Sequence, residues 1–542
     1  MHHVSMRAGL ERASLFFAVF VSGAVLLAVE IVSSRVLAPF FGNSLYVWGA
    51  LIGVVLSGLA IGYWLGGALA DRLPDVHLLL AVMTVGALLV LAIPYADDHV
   101  LRWIVEWDPG ARLNPLLASI ILFGPASVVL ATVTPVAVRI AARSVATLGR
   151  TAGRLFAVST VGSIVGTFAT AFVLIPELGS NQLLAYASCS LLAGTAVVAG
   201  ARGRLPSAAA AAAAAGVAAV LAVGLGLDQS GRLEGAAAGN FSPIYRLRGG
   251  TAEAPDFKGE GLRVLYRKES AYHSIAVVQD ESTRYLRFDS SYQSGMRRAR
   301  PFETPFEYVD DFALGLAYHP SARNVLFIGL GGGSAPKRFW RDFPNLRLQV
   351  VELDPVVRDV AYRWFQLPRD RRLTVDVEDG RTFLERDHRR WDVIALDAYY
   401  SDSIPFHLAT REFVQLVRER LAPGGVVVAN VIGSLRGSQS KLFRSFYRTY
   451  RSVFPSVAVH PVDYFRSREL DLAQNVMLVA GEFPVPGRAF LLRRWRELRR
   501  REAHAVDLTN AVRRRYEAFV PTQDVPVLTD DYAPTDSLLL VD

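Results

Sequence analysis

The feature that most limits the fold is a series of seven apolar runs in the first 230 residues, near 14–38, 46–70, 76–95, 115–138, 155–176, 182–200 and 208–227. Each is about 20 residues or longer, the length a helix needs to cross the ~30 Å hydrocarbon core of a bilayer. Of the chain's 58 Lys+Arg and 50 Asp+Glu, only 12 Arg, no Lys and 10 acids fall in these 230 residues. The remaining residues of the 542 carry the rest and have an ordinary water-soluble composition. One globular domain, a disordered chain and a protein made only of membrane helices are thereby excluded. The single cysteine, Cys189, excludes an intramolecular disulfide framework and a metal site of several thiolates. The first run is too long for a cleavable signal peptide and carries Glu30 and Arg35. The last run holds an alanine tract, Ala208 to Ala215, and is only mildly hydrophobic.

Loop charge orients these runs. Arg7, Arg12, Arg72, Arg139, Arg143, Arg150, Arg154, Arg202 and Arg204 share the side of the N-terminus, whereas Arg102 and Arg112 on the other side stand among four acids. Positive charge collects on the cytoplasmic side, which places the N-terminus there. Seven crossings would put the soluble half outside; a surface-lying last run would put it in the cytoplasm, and the latter is the expectation. The basic stretch 493–501 suits an anionic cytoplasmic leaflet, or is simply a solvated face. Gly58, Gly62 and Gly66, spaced by four, read as a helix-packing face.

Residues 1–230 thus read as a membrane domain of about seven helices and 231–261, rich in Gly and Ala, as a linker. Residues 262–300 alternate as short strands and form a small β-subdomain. Residues 301–485 alternate apolar strands with helical stretches, which predicts a parallel sheet covered on both faces. Residues 486–542 form a basic helical extension. Ligands of such sheets sit beyond the carboxyl ends of the strands. Four of those ends are chemically suggestive. One runs into Gly329, Gly331 and Gly333, a loop that lets backbone approach a ligand closely. The next ends at Glu352, placed to grip ribose hydroxyls. The third ends at Asp379-Gly380, where a carboxylate can accept from an adenine amino group, and the fourth at Asp397. Helix capping is the plainer role for some of these acids. No zinc spacing, serine triad or nucleic-acid motif is present.

In order, Glu269-Ser270-Ala271-Tyr272, Asp289 to Gln293, Tyr308, the glycine loop, Glu352, Asp379-Gly380 and Asp397 resemble the spermidine synthases, over roughly 262–485. The multi-span half, with Ala38-Pro39-Phe40-Phe41-Gly42, and the ending Leu528-Thr529-Asp530-Asp531-Tyr532-Ala533-Pro534 resemble a bacterial membrane-fused subgroup. The resemblance implies a multi-span α-helical membrane domain followed by an α/β Rossmann-like, methyltransferase-type domain with a small N-terminal β-sheet. It implies aminopropyl transfer from decarboxylated S-adenosylmethionine to an amine such as putrescine, with no tightly bound cofactor. It assigns Glu352 to the ribose, Asp379 to adenine, Asp397 to the attacking amine as the catalytic carboxylate, and Tyr308 and Gln293 to the pocket. His273 stands where the family has Gln, beside the donor, and Tyr272 and Asp402 are assigned to the amine. The partners it implies are a polyamine and the bilayer, not nucleic acid, with a homo-oligomer possible. Gly332 stands where the family has an Asp that binds the donor's free amine. That departure admits intact S-adenosylmethionine and methyl transfer; a transport or sensing protein that binds a nucleoside or polyamine without turnover is the reading from another class.

Overall fold

The computed structural model describes residues 2–41, 45–107, 109–110, 112–142, 144–175, 178, 180–227, 263–289, 291–400, 404–463, 470–502, 504–535 and 538. The expected linker, residues 231–261, lies outside them. The chain forms two compact units, Met1–Ala236 with Lys268–Ala271, and Ala237–Arg267 with Tyr272–Asp542.

Among the described residues of the first unit, six helices are long and apolar enough to cross a membrane: Gly9–Ala38, Tyr46–Arg72, Val76–Trp107, Gly124–Ala141, Val145–Leu174 and Ser180–Ala201. These correspond to six of the seven runs read from the sequence. The alanine-rich seventh run forms the helix Leu205–Leu227, in which Pro206–Leu221 is an apolar stretch. The fourth run is also divided, into Leu113–Leu122 and Gly124–Ala141. Pro125 supplies no backbone N–H, so it starts a helix more readily than it continues one. Gly58, Gly62 and Gly66 do form a packing face. A methyl group on Gly58 would lie 2.7 Å from Ser127 Cβ, one on Gly66 2.8 Å from Thr132 Cα, and one on Gly62 would strike the Val128 carbonyl.

The second unit opens with a four-stranded antiparallel sheet, β1 (Arg263–Glu269), β2 (Ser274–Gln279), β3 (Thr283–Phe288) and β4 (Ser291–Arg297), in that order. The fourth strand carries Ser, Gln and Gly in place of an apolar alternation; its pairing with β3 makes it a strand. Ile275, Val277, Leu286 and Phe288 bury one face of this sheet against Val357, Val360 and Phe365.

The larger sheet comprises β5 (Asn324–Ile328), β6 (Arg347–Glu352), β7 (Leu373–Val377), β8 (Trp391–Leu396), β9 (Leu421–Gly433), β10 (Ser456–Pro461) and β11 (Gln474–Gly481). Their order is β10-β11-β9-β8-β5-β6-β7. Successive residues serve opposite faces. Phe327, Val350, Ala395 and Val428 enter one core with Phe339 and Trp495. Ile328, Val351, Leu396 and Ala429 enter the other with Phe413 and Phe446. The expectation of an all-parallel sheet fails at β11, which is antiparallel to both neighbours. Every residue of β11 is buried, and a run apolar on both faces carries no mark of its direction. The helix Arg488–Arg501 inserts Leu491 and Trp495 into the core, so its arginines form the outer face.

Candidate active site

Crossing the sheet from β5 outward in both directions brings the four strand ends together. β5 runs into the glycine loop. Gly329 has φ +100°, and any side chain there would strike the Asp397 carbonyl, so only glycine lets the loop pass this close to the end of β8. Gly331 and Gly333 also have positive φ, and Gly333 precedes the helix Ser334–Asp342. The Gly332 N–H donates to Ser294 Oγ at 2.8 Å. Ser294 follows Gln293 on β4, so the small sheet delivers Gln293 to the edge of the glycine loop.

Glu352 ends β6 and is buried. Its Oε2 accepts the Leu330 N–H at 2.9 Å and its Oε1 the Asp354 N–H at 3.0 Å. Each carboxylate oxygen has about two acceptor positions, so one on each remains for a pair of neighbouring hydroxyls. Burial pushes the Glu352 carboxyl up, against the two backbone N–H groups that pull it down.

Asp379 follows β7 and caps the helix Gly380–Arg386, with Oδ1 accepting from the Arg381 and Thr382 N–H groups at 3.0 Å each. The capping role raised from the sequence is therefore present. Oδ2 meets His407 Nε2 at 2.8 Å. Burial acts upward on this carboxyl, but the hydrogen bonds from His407 and Thr382 outweigh it and hold it at about 2. Arg381 makes a bidentate pair with Asp530, at 2.7 Å for each bond. The tail segment singled out in the sequence thus braces the Asp379 corner.

Asp397 follows β8. Its Oδ1 accepts from Asn430 Nδ2 at 2.9 Å, and Tyr308, the first residue of the helix Tyr308–Asp311, also bonds it. Burial raises the Asp397 carboxyl to about 6, against both hydrogen bonds. The Tyr399 hydroxyl donates to the Asn430 carbonyl at 3.1 Å and accepts the Ile432 N–H at 3.0 Å, which pins the loop after Asp397 to β9.

His273 is buried, its ring 4.5 Å from that of Phe288 and stacked on it, with Nδ1 3.7 Å from Asp289 Oδ2. The ring is therefore packed in the interior and is not a solvated one. Tyr400 lies 5.8 Å from His273, ring to ring; burial pushes its phenol up, with the charges of Asp379 and Tyr272 adding to this. Tyr272 therefore belongs to the same neighbourhood. Asp402 lies outside the described residues. His407, Tyr400, Ser294, Asn430 and Tyr399 went unforeseen. A strand-end rule finds acids, not the groups that hydrogen-bond them from elsewhere.

A mixed sheet of this order, with acids at three strand ends beside a glycine loop, defines a Rossmann-like domain of the methyltransferase type. Residues 311–463 match the Spermine/spermidine synthase domain, and the C-terminal part of the chain carries that domain. A polyamine aminopropyltransferase of Vibrio vulnificus (strain CMCP6) is 33% identical over 200 residues, covering 35% of this chain and 65% of its own. An eEF1A lysine and N-terminal methyltransferase of Danio rerio is 39% identical over 145 residues, covering 25% of this chain and 20% of its own. This chain therefore spans less than two thirds of the length of either relative. The crystal structure of a probable spermidine synthase from Corynebacterium glutamicum ATCC 13032 aligns with a TM-score of 0.38 and 22% identity, over 48% of this chain and 99% of that one.

Proposed function

We propose that the protein is a membrane-anchored aminopropyltransferase, transferring the aminopropyl group of decarboxylated S-adenosylmethionine to an amine such as putrescine. The observation that carries this reading is Asp397, held between Tyr308 and Asn430 at the end of β8, where the Gly329 backbone passes. The acceptor nitrogen attacks the methylene next to sulfur with its lone pair. The C–S bond breaks and its electron pair goes to sulfur, which leaves as a neutral thioether, methylthioadenosine. The nitrogen becomes cationic as the C–N bond forms, and Asp397 accepts its proton. A carboxyl at about 6 is mostly ionised at neutral pH yet more basic than an exposed one. Glu352 holds the ribose hydroxyls and Asp379 takes the adenine amino group on the acceptor capacity left on Oδ2. Tyr272, Tyr400 and Tyr308 line the path of the amine, and aromatic faces suit a polycation.

Methyl transfer from intact S-adenosylmethionine is the second reading, favoured by Gly332. A side chain there would begin 2.9 Å from the Phe365 ring and 2.9 Å from Ser294 Cβ. The place where the resemblance implies a carboxylate for the donor's amine is filled by packing. Of the acids that could replace it, Asp289, Asp310 and Asp402, Asp310 is already paired with Arg338 at 2.9 Å. Incubating the full chain in detergent with each donor and a panel of amines, and analysing products by mass spectrometry, separates the readings. An aminopropylated amine supports the first, and a methylated product replaces it with the second. The six helices and the charge bias support a multi-pass membrane protein with its soluble half in the cytoplasm, where both donors are made.

A further inference from the structure

We propose that Asn475 is a positioning residue for Asp397, acting through Asn430. The inference rests on the transferase reading for its catalytic meaning. Register places Leu396 opposite Ala429, so Asp397 comes to lie beside Asn430 as β8 ends. From the other side, antiparallel β11 brings Asn475 opposite Ile432. Asn475 Nδ2 donates to Asn430 Oδ1 at 3.0 Å, and Asn430 Nδ2 donates to Asp397 Oδ1 at 2.9 Å. Both asparagines are buried.

The chain of bonds has a direction. An ionised carboxylate can only accept, so Asn430 must offer it the NH₂ end. An amide can turn over and offer its oxygen instead, which would repel the carboxylate. Asn475 opposes that alternative, because a turned Asn430 would set its NH₂ group against the Asn475 NH₂ group. Tyr399, bonded to the Asn430 carbonyl and the Ile432 N–H, holds the backbone on which the amide stands. Tyr308 is the titratable group that bonds Asp397, and Tyr399 and Tyr400 stand on its own loop. Among the described residues no charged side chain adds to these. The proton affinity of Asp397 therefore depends on Asn430 facing one way. Two amides turn a carboxylate raised by burial into one that keeps a fixed orientation and remains ionised near neutral pH.

The test compares the full-length wild type with Asn475→Leu and Asn475→Gln in detergent. Leu has about the same volume and no donor; Gln keeps the amide. With Asn475→Leu, the acid limb of the kcat/KM profile moves up by about half to one pH unit. At pH 7, kcat falls about tenfold while KM for donor and amine stays within about twofold. Asn475→Gln recovers part of both losses. A folded Asn475→Leu protein with an unmoved acid limb and unchanged kcat overturns the proposal. Should Asn475→Leu not fold, Asn475→Ala is read by the same criteria. The proton affinity of Asp397 is also measured without turnover, from the pH dependence of the Tm difference between Asp397→Asn and its parent, with and without Asn475→Leu. A shifted midpoint in a protein that transfers nothing upholds the relay and removes the transferase reading. An unshifted midpoint in an active enzyme overturns the relay alone.

Discussion

Burial gives Asp397 its base strength, and this has consequences for both activity and stability. Asp397→Asn keeps the shape and removes the acceptor for the amine proton. Turnover should fall by about 100-fold or more, while calorimetry shows methylthioadenosine binding within about twofold of wild type. Normal turnover in the folded variant would end the assignment. The acid limb of the wild-type kcat/KM profile is expected near 6, because the protonated carboxyl cannot act as base. The stability effect follows from the sign of the shift. The folded-state value lies above the unfolded one of ~3.9, so the cost of a buried charge is absent below that pH and complete above about 6. Asp397→Asn should therefore gain Tm relative to wild type as pH rises from about 4 to about 6; a Tm difference independent of pH would contradict this. Glu352, Asp379 and Asp397 were legible in the sequence because each closes an apolar strand. Asn430 and Asn475 were not. They lie 45 positions apart, and no local pattern announces a pairing made by sheet register.

At the level of elements, the glycine loop and the long apolar helices depend on the same thing, backbone approaching without side chains between. Gly332→Asp should not create a site for the donor's amine, since the new side chain would start against Phe365 and Ser294. It should lower Tm, by overpacking worth about 1–3 kcal/mol, and leave donor preference unchanged in competition binding. A gain of preference for the decarboxylated donor would show that the loop can open. Gly62→Leu places a large side chain into the Val128 backbone and should reduce the thermal stability of the detergent-solubilised protein by a comparable amount. The packing face was readable from glycines spaced by four, whereas the direction of β11 was not, because burial on both faces erases the alternation. Arg381 and Asp530 are partly exposed, so their ion pair is a brace of modest strength. Asp530→Asn should weaken binding of adenosine compounds by no more than about fivefold, seen as a higher Kd with kcat retained.

For the molecule as a whole, the parity of the proposed membrane crossings would decide which compartment the C-terminal half meets. Six spans, with Leu205–Leu227 lying along the surface, would return the chain to the side where Arg7, Arg12, Arg72, Arg139, Arg202 and Arg204 lie. Fusions after Asp542 of a reporter fluorescent only in the cytoplasm, and separately of alkaline phosphatase, should give a fluorescent, phosphatase-inactive pair. The reverse pair would make Leu205–Leu227 a seventh crossing and remove access to cytoplasmic donors. The two-part organisation was evident from charge density alone; whether Leu205–Leu227 crosses was not, because an alanine tract is helical whether or not it enters lipid. The brace between Arg381 and Asp530 also has a consequence in time. The two residues are 149 positions apart, so at ~5–20 residues per second a ribosome needs on the order of 10 s after making the first to deliver the second. The N-terminal apolar helices leave the ribosome well before then. During each round of synthesis the Asp379 corner is therefore the last part of the candidate site to close, and the nascent chain waits with that corner open.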